Sequence, residues 1–291
     1  NFKISNNKKN YILEGKLLNA NNLIENLLSS DETNSLPFQR EFLLNVKLDK
    51  VRFDEEFLVK HLKGHAKFKN NNFEEVNLNG SYKNNKKIKI TVNSSKNEKI
   101  TTLYSDYAKP FIKRYKFIKG FDEGSLDFYS SKINKKTSST IKIYDFKLNE
   151  LPALTKLLTL ASLQGIADLL TGEGIRFNEF EMKFNSTGSL MTIDEIYAIG
   201  PAISILMDGY IEKNKLISLR GTLVPATTVN RTISSIPIIG DILVGKKVGE
   251  GVFGVSFKIK GPPKELETTV NPIKTLTPRF ITRTLEKIKK N

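Results

Sequence analysis

The segment FNEFEMKFN, residues 177–185, alternates apolar and polar side chains, and this alternation decides the fold class. Phe180, Met182 and Phe184 fall at every second position, with charged residues between them. Successive side chains of a β-strand point to opposite faces of its sheet, so a period of two predicts a half-buried strand. An amphipathic helix would instead place apolar residues every three or four positions.

The same alternation recurs along most of the chain. In the C-terminal half its apolar positions are Ile203, Ile205, Met207, Ile217, Leu219, Phe253, Val255, Phe257 and Ile259. Weaker examples occupy residues 43–48, 76–78, 88–92, 126–128 and 141–143. We predict a mainly β protein, with a long, twisted, antiparallel sheet curled into a hydrophobic groove or open barrel and a few flanking helices. A sheet that closes on itself remains the alternative, because either arrangement covers the apolar side of the strands.

The most apolar stretch of the chain is LPALTKLLTLASLQGIADLL, residues 151–170. Pro152 in the first turn and Gly172 after the last one frame a single helix. Lys156, Gln164, Gly165 and Asp168 interrupt the run, which therefore falls short of the ~18 unbroken apolar residues of a membrane span. We expect this helix to pack on an apolar side of the sheet, and contact with a membrane is the alternative.

Shorter helices are predicted at 21–28, 106–118, 227–235 and 278–289. A shift in composition near residue 150 separates an Asn/Lys-rich half from a more apolar one. We expect residues 1–150 to form the N-terminal part of one continuous β-groove. Residues 151–291 would form its C-terminal part, with the helix at 151–170, strands within 175–260 and a basic terminal helix at 278–289.

The composition limits the chemistry available to the chain. It has a formal charge of +15 from 46 basic and 31 acidic residues, spread mostly as lysines over predicted solvent-facing positions. Without cysteine it has no disulfide or thiolate site. His61 and His65, the only histidines, lie in a strand-like stretch without a third metal ligand. We therefore expect no enzymatic activity, metal or other cofactor.

Short motifs between residues 151 and 278 carry a family resemblance. They are LPALTKLLTLASL at 151–163, GEGIRF at 172–177, GP at 200–201, LRGTLVPA at 219–226, IPIIGDIL at 236–243, GEGVF at 249–253, IKGP at 259–262 and VNP at 270–272. In this order they resemble the C-terminal region of the AsmA-like family, in its large YhdP-type branch, which is related to TamB. In the first half, LLNA at 17–20 and GFDEGSL at 120–126 resemble the family more loosely.

This resemblance implies the periplasmic part of an envelope protein anchored in the inner membrane, with the anchor outside the present sequence. It implies an apolar β-groove that carries phospholipid between the inner and outer membranes, and no catalysis. The apolar strand positions named above, from Phe180 to Ile259, are the predicted lining. The residues predicted to lie near a membrane are Leu154, Leu157, Leu158, Lys246, Lys247, Arg279 and Arg283.

Two other functions are compatible with the residues. A scaffold for outer-membrane biogenesis would hold client polypeptide by strand addition at a sheet edge. A nucleic-acid binder would use the excess of lysine, but the chain has no interleaved aromatic and basic motif to support it. The partner we expect is phospholipid or another acyl lipid at a membrane surface, and not nucleic acid.

Overall fold

The computed structural model describes residues 2–7, 9–21, 41–53, 56–69, 72–113, 119–160, 163–225, 254–263 and 265–273. Its first strands are β1 (Phe2–Asn7), β2 (Asn10–Gly15), β3 (Leu18–Asn19), β4 (Phe42–Arg52), β5 (Leu58–Lys69), β6 (Asn72–Ser81), β7 (Lys87–Ser94) and β8 (Glu98–Ser105). A 3-10 turn at Lys83–Asn85 precedes β7, and the one-turn helix α1 (Lys109–Ile112) follows β8.

Two long strands, β9 (Lys119–Ile133) and β10 (Lys136–Glu150), lead into the helices α2 (Pro152–Leu160) and α3 (Gln164–Thr171). The remaining strands are β11 (Ile175–Thr187), β12 (Leu190–Ile199), β13 (Ile203–Glu212), β14 (Leu216–Pro225), β15 (Gly254–Gly261) and β16 (Glu267–Ile273). Strand is therefore the predominant structure of the described chain.

The strands lie side by side in one hydrogen-bonded sheet, almost entirely in the order in which they occur in the sequence. From β4 to β16 each strand pairs with the next one along the chain, while β2 and β3 run parallel to β4 and β1 pairs with β2. The pairs from β4 to β9 and from β11 to β16 are antiparallel. The predicted fold class, a mainly β protein with a long antiparallel sheet and few helices, is confirmed.

The chain divides into two compact units. The N-terminal unit comprises Asn1–Ile118 with Asp122–Ile143, and the C-terminal unit comprises Lys119–Phe121 with Tyr144–Asn291. In the C-terminal unit, Phe121, Phe146 and Phe177 form a buried stack with ring centroids 5.3 and 5.2 Å apart. This stack packs the start of β9, the second half of β10 and the start of β11 together.

The single helix predicted at 151–170 is wrong, because the structure has two helices there. Leu163 lies between them with φ −101° and ψ 46°, outside the helical range. Its N–H donates to the Leu158 carbonyl at 2.9 Å, an i to i−5 bond that replaces the helical i to i−4 pattern. In the sequence, the break coincides with Gln164 and Gly165, which directly follow Leu163 and interrupt the apolar run.

The shorter helix predictions have mixed outcomes. In the described part of the stretch predicted as a helix at 106–118, the helix is the single turn α1, with Pro110 near its start, and residues 114–118 lie outside the described residues. Most of the stretch at 21–28 lies outside the described residues, as do 227–235 and 278–289 in full.

Candidate functional site

One face of the C-terminal unit gathers the predicted lining residues. Directly paired residues of neighbouring strands share a face, so the register defines rows of side chains across the sheet. Four rows cross β11–β15: Phe180–Ala198–Ile205–Leu223–Val255, Met182–Ile196–Met207–Gly221–Phe257, Phe184–Ile193–Gly209–Leu219–Ile259, and Ser186–Met191–Ile211–Ile217–Gly261. We call this surface the C-terminal apolar face.

Eleven of the twelve predicted lining residues lie on this face. Ten of them stand in the four rows, and Ile203 joins them because it lies two residues before Ile205 and pairs with Pro225. Phe253, the twelfth, lies outside the described residues. The register also adds Met191, Ile193 and Ile211, which the sequence prediction did not include.

Burial divides the C-terminal apolar face into a packed part and an open part. Ile203, Ile205, Val255 and Phe257 are buried and belong to the core of the unit. The half-buried lining residues are Phe180, Met182, Phe184, Met207, Ile217, Leu219 and Ile259. Most of these lie towards the hairpin turns after β11 and β13. We call Phe184, Met191, Ile211, Ile217, Leu219 and Ile259 the hairpin-end strip.

The opposite face of the C-terminal unit is different in character. Its central residues Tyr197, Leu206 and Val224 are also buried, so this part of the sheet is packed on both sides. Further along the strands the face is charged: Arg220 Nε lies 2.9 Å from Asp208 Oδ1 on the directly paired strand. Leu190 and Tyr210 are exposed on this face, so apolar surface near the hairpin turns lies on both sides of the sheet, and the hairpin-end strip is the part of it that is continuous with the packed core.

The N-terminal unit has an apolar face of its own, which the sequence prediction had not assigned to a site. Its central row is Val46–Gly64–Leu78–Ile90–Leu103–Phe128, across β4–β9. We call this surface the N-terminal apolar face. Four members of the row, Leu78, Ile90, Leu103 and Phe128, are half-buried.

The two ends of the N-terminal apolar face are unlike. At one end a core cluster closes it, with Val51, Val59, Tyr82 and Ile88 among its buried members. At the other end Phe42, Phe68 and Phe73 form an aromatic group, with ring centroids 5.2 Å apart for Phe42 and Phe68 and 5.4 Å apart for Phe68 and Phe73. The aromatic group marks the end at which polar residues join the face.

Two lysines lie at this aromatic end. Lys99 on β8 pairs directly with Lys132 on β9, and with Ser94 on β7. Thr101, two residues after Lys99, pairs with Ser130, two residues before Lys132. Alternate residues of a strand share a face, so the lysines lie on the same side of the sheet as the apolar rows. Both lysines are half-buried. We call Ser94, Lys99 and Lys132 the lysine rim.

The environment of Lys99 disfavours its positive charge. Burial lowers the pKa of Lys99, and the neighbouring charge of Lys132 lowers this pKa further. Lys99 Nζ donates a hydrogen bond of 2.8 Å to the neutral amide oxygen Oδ1 of Asn72. The lysine rim therefore places two basic side chains beside apolar surface, in surroundings that weaken the charge of Lys99.

The opposite face of the N-terminal unit carries an ordinary surface ion pair and a contact between a histidine and a glutamate. Lys67 Nζ lies 2.6 Å from Glu74 Oε2, and His65 Nε2 lies 2.9 Å from Glu75 Oε1. His61 is exposed on the same strand, β5. In the described part of the chain, no three His, Asp or Glu side chains are placed to hold a metal ion.

The structure describes three of the seven residues predicted to lie near a membrane. Leu154, Leu157 and Leu158 are buried in α2, which supports the packed-helix interpretation of this segment. Lys246, Lys247, Arg279 and Arg283 lie outside the described residues. Over the described ranges, no helix combines the length and the hydropathy needed to cross a bilayer.

Comparisons with protein-family models, curated proteins and solved structures find no match to this chain.

Proposed function

We propose that this protein binds and transfers lipid along the apolar faces of its sheet. The observation that supports this proposal best is the hairpin-end strip, where two neighbouring rows across β11–β15 together present a half-buried apolar side chain from each strand. An uncovered, contiguous apolar surface on a folded protein is typical of a binding site.

Acyl chains suit the dimensions and chemistry of this strip. Neighbouring strands lie ~4.8 Å apart, so the distance from β11 to β15 is roughly 20 Å. A hydrocarbon chain that lies across the strands would contact Phe184, Leu219 and Ile259 in place of water. Each methylene removed from water contributes about 0.8 kcal/mol.

The cellular setting of the proposal comes from the family resemblance of residues 151–278. As an AsmA-like protein of the YhdP type, the chain would be the periplasmic part of an inner-membrane-anchored protein that carries phospholipid between the inner and outer membranes.

The first test is lipid retention by a double variant of the hairpin-end strip. Phe184→Asp with Ile259→Asp places two carboxylates in the third row, where both side chains are half-buried. We expect at least a roughly fivefold loss of co-purifying acyl lipid, measured by mass spectrometry of the extracted protein, because a charge on the strip opposes hydrocarbon burial.

The matched control is Thr192→Asp with Thr269→Asp, which adds the same two charges at exposed positions on the opposite face. This control should retain lipid at the wild-type level, and circular dichroism should show that both double variants are folded. Equal lipid in the two folded variants would refute binding on the strip, as would a wild-type protein that carries no lipid after expression in membrane-bearing cells.

A second candidate function rests on the ends of the sheet. Among the described strands, β1 and β16 each pair with a single neighbour, and Ile4 of β1 is exposed. An unpaired edge is the element that a strand-addition scaffold would use to hold client polypeptide. Capture of a β-strand peptide in place of acyl lipid, identified by mass spectrometry of the purified protein, would favour this function.

A further inference from the structure

We propose that the polar face of the N-terminal unit binds the surface of a bilayer that contains anionic phospholipid. This face is the side of β4–β7 opposite the N-terminal apolar face. Its positive charge comes from a group of lysines that we call the basic patch: Lys47, Lys50, Lys60, Lys63 and Lys89. The proposal goes beyond acyl-chain binding, because it concerns another surface and needs no contact with hydrocarbon.

The basic patch points away from the apolar core of its unit. Four of its lysines are direct sequence neighbours of buried core residues, and successive side chains of a strand face opposite sides of the sheet. Those core residues are Val46, Leu48, Val51, Val59 and Ile88. Lys63 pairs directly with Lys47 and therefore shares its face. Lys60 is half-buried and the other four lysines are exposed, so the patch is accessible from solvent.

The register places the lysines in two neighbouring rows. One row is Lys47–Lys63–Asn79–Lys89, and the next is Lys50–Lys60–Ser81–Lys87. Each row begins with two directly paired lysines, and like charges at such positions destabilise a sheet. Lys87 is left out of the patch because Asp106 accepts its backbone N–H at 2.6 Å, which brings a carboxylate beside it. The basic patch therefore concentrates like charge at a cost in stability.

Ion pairing distinguishes the basic patch from the other end of the same strands. Lys67 Nζ on β5 lies 2.6 Å from Glu74 Oε2, and Lys69 Nζ lies 3.7 Å from Glu41 Oε1. Among the described residues, no acidic side chain forms an ion pair with a lysine of the patch, and β6 contributes only neutral side chains to its two rows. Compensated and uncompensated lysines are thus separated along the strands, whereas scattered surface lysines would show no such division.

The extent of the patch favours a bilayer over a nucleic acid. Its two rows cross four adjacent strands, a distance of roughly 14 Å. Negative charge borders the first row on both sides, because Glu14 pairs with Lys47 and Asp127 lies two strands beyond Lys89. A phosphate backbone needs a continuous cationic track and would meet these carboxylates.

A compact, two-dimensional group of flexible cations instead suits the mobile headgroups of a bilayer. Lysine is a point charge on a long stem and needs no fixed geometry of its partner. Each lysine near an anionic membrane surface adds roughly fivefold to the affinity. The patch therefore supplies enough attraction to hold the N-terminal unit against an anionic bilayer.

The test is sedimentation of the full chain with lipid vesicles. Two compositions are compared: pure phosphatidylcholine, and phosphatidylcholine with about one third phosphatidylglycerol. We expect at least about tenfold tighter binding to the anionic vesicles. This binding should weaken as salt is added, because exposed charges are screened within about 10 Å at about 0.1 M ionic strength.

The decisive variant is Lys60→Gln with Lys63→Gln and Lys89→Gln, which removes three charges from the basic patch. We expect its affinity for the anionic vesicles to fall at least about tenfold. Its melting temperature should be no lower than that of the wild-type protein, because two like-charge pairs are relieved. A lower melting temperature would show that these lysines have a structural role and would contradict the proposal.

The matched control is Lys156→Gln with Lys258→Gln and Lys260→Gln. It removes equal charge from exposed positions of the C-terminal unit and should keep the wild-type preference for anionic vesicles. Circular dichroism should show that both triple variants are folded. Equal losses of vesicle binding in the two variants would reduce the effect to net charge and overturn the basic patch as a site.

The remaining results separate this proposal from its rivals. Equal binding of the wild-type protein to both kinds of vesicle would overturn it. Tighter binding to a DNA oligonucleotide than to anionic vesicles, at the same salt, would show a general polyanion site and overturn the choice of partner. The patch variant should still retain acyl lipid, and Phe184→Asp with Ile259→Asp should still bind anionic vesicles, so failure of the proposed function and failure of this proposal are distinguishable.

Discussion

Val255→Asp is expected to destabilise the C-terminal unit by at least about 4 kcal/mol and to leave it unfolded at room temperature. Val255 is 5% exposed and is directly paired with Leu223, which is fully buried. Ile205, in the same row, is also 5% exposed. A carboxylate at this position would be buried without a cation or hydrogen-bond donor from its apolar row, and few single substitutions cost more.

The informative comparison is Ile259→Asp, four residues further along β15 and on the same face. Ile259 is half-buried and pairs with Leu219 on the hairpin-end strip, so water can reach a carboxylate there. We expect this variant to fold, at a cost of roughly 1–2 kcal/mol in the free energy of unfolding. Urea denaturation of both variants measures the difference, and equal midpoints would contradict the division of the face into packed and open parts.

Gly64→Ala is expected to cost at least about 3 kcal/mol and to disturb the pairing of β5 with β6. A Cβ atom on Gly64 would lie 1.8 Å from the backbone oxygen of Asn77, and the residue has φ +143°. A backbone oxygen cannot move aside without breaking the ladder around it, so the strands must separate. Gly64 stands in the central row of the N-terminal apolar face, between Val46 and Leu78.

The control for this substitution is Gly165→Ala, where the added methyl meets no atom within 4 Å. Gly165 lies in the first turn of α3, and alanine there should stabilise the protein by up to about 1 kcal/mol. Thermal unfolding of the two variants should therefore shift in opposite directions. Similar melting temperatures for Gly64→Ala and the wild-type protein would show that β5 and β6 accommodate a side chain at this point.

Most of the strand content follows from alternation alone, because period two is a local property of the chain. The apolar series at 203–207, 217–219 and 255–259 all lie in strands and share one face in the structure. The register that brings them together includes an irregularity in β12 between Ile193 and Ile196. Bulges of this kind depend on pairing with the neighbouring strand, so the sequence of one strand does not reveal them.

Alternation does not distinguish an open apolar face from a packed one. Val255 and Ile259 stand at equivalent positions in the pattern of β15, yet one is buried and the other half-buried. Burial depends on which other elements cover the face, and this is a property of the whole fold. The break at Leu163, by contrast, coincides with Gln164 and Gly165, which interrupt the apolar pattern of residues 151–170.

The lysine rim had a sequence signal that is easy to overlook. Leu126 and Phe128 lie on the apolar face, and the same alternation places every second residue after them, Ser130 and Lys132, on that face too. In a chain with 46 basic residues, a lysine at the end of a strand resembles many others. Only the register, which sets Lys132 directly opposite Lys99, distinguishes the pair from the solvated lysines around it.

The order of the strands has a consequence for how such a chain changes over evolutionary time. Because neighbours in sequence from β4 to β16 are also neighbours in the ladder, the loss or duplication of a hairpin removes or adds two adjacent strands together. Every remaining strand then keeps its direction and its inward-facing residues. A protein with this connectivity can become longer or shorter in steps of two strands without redesign of its interior.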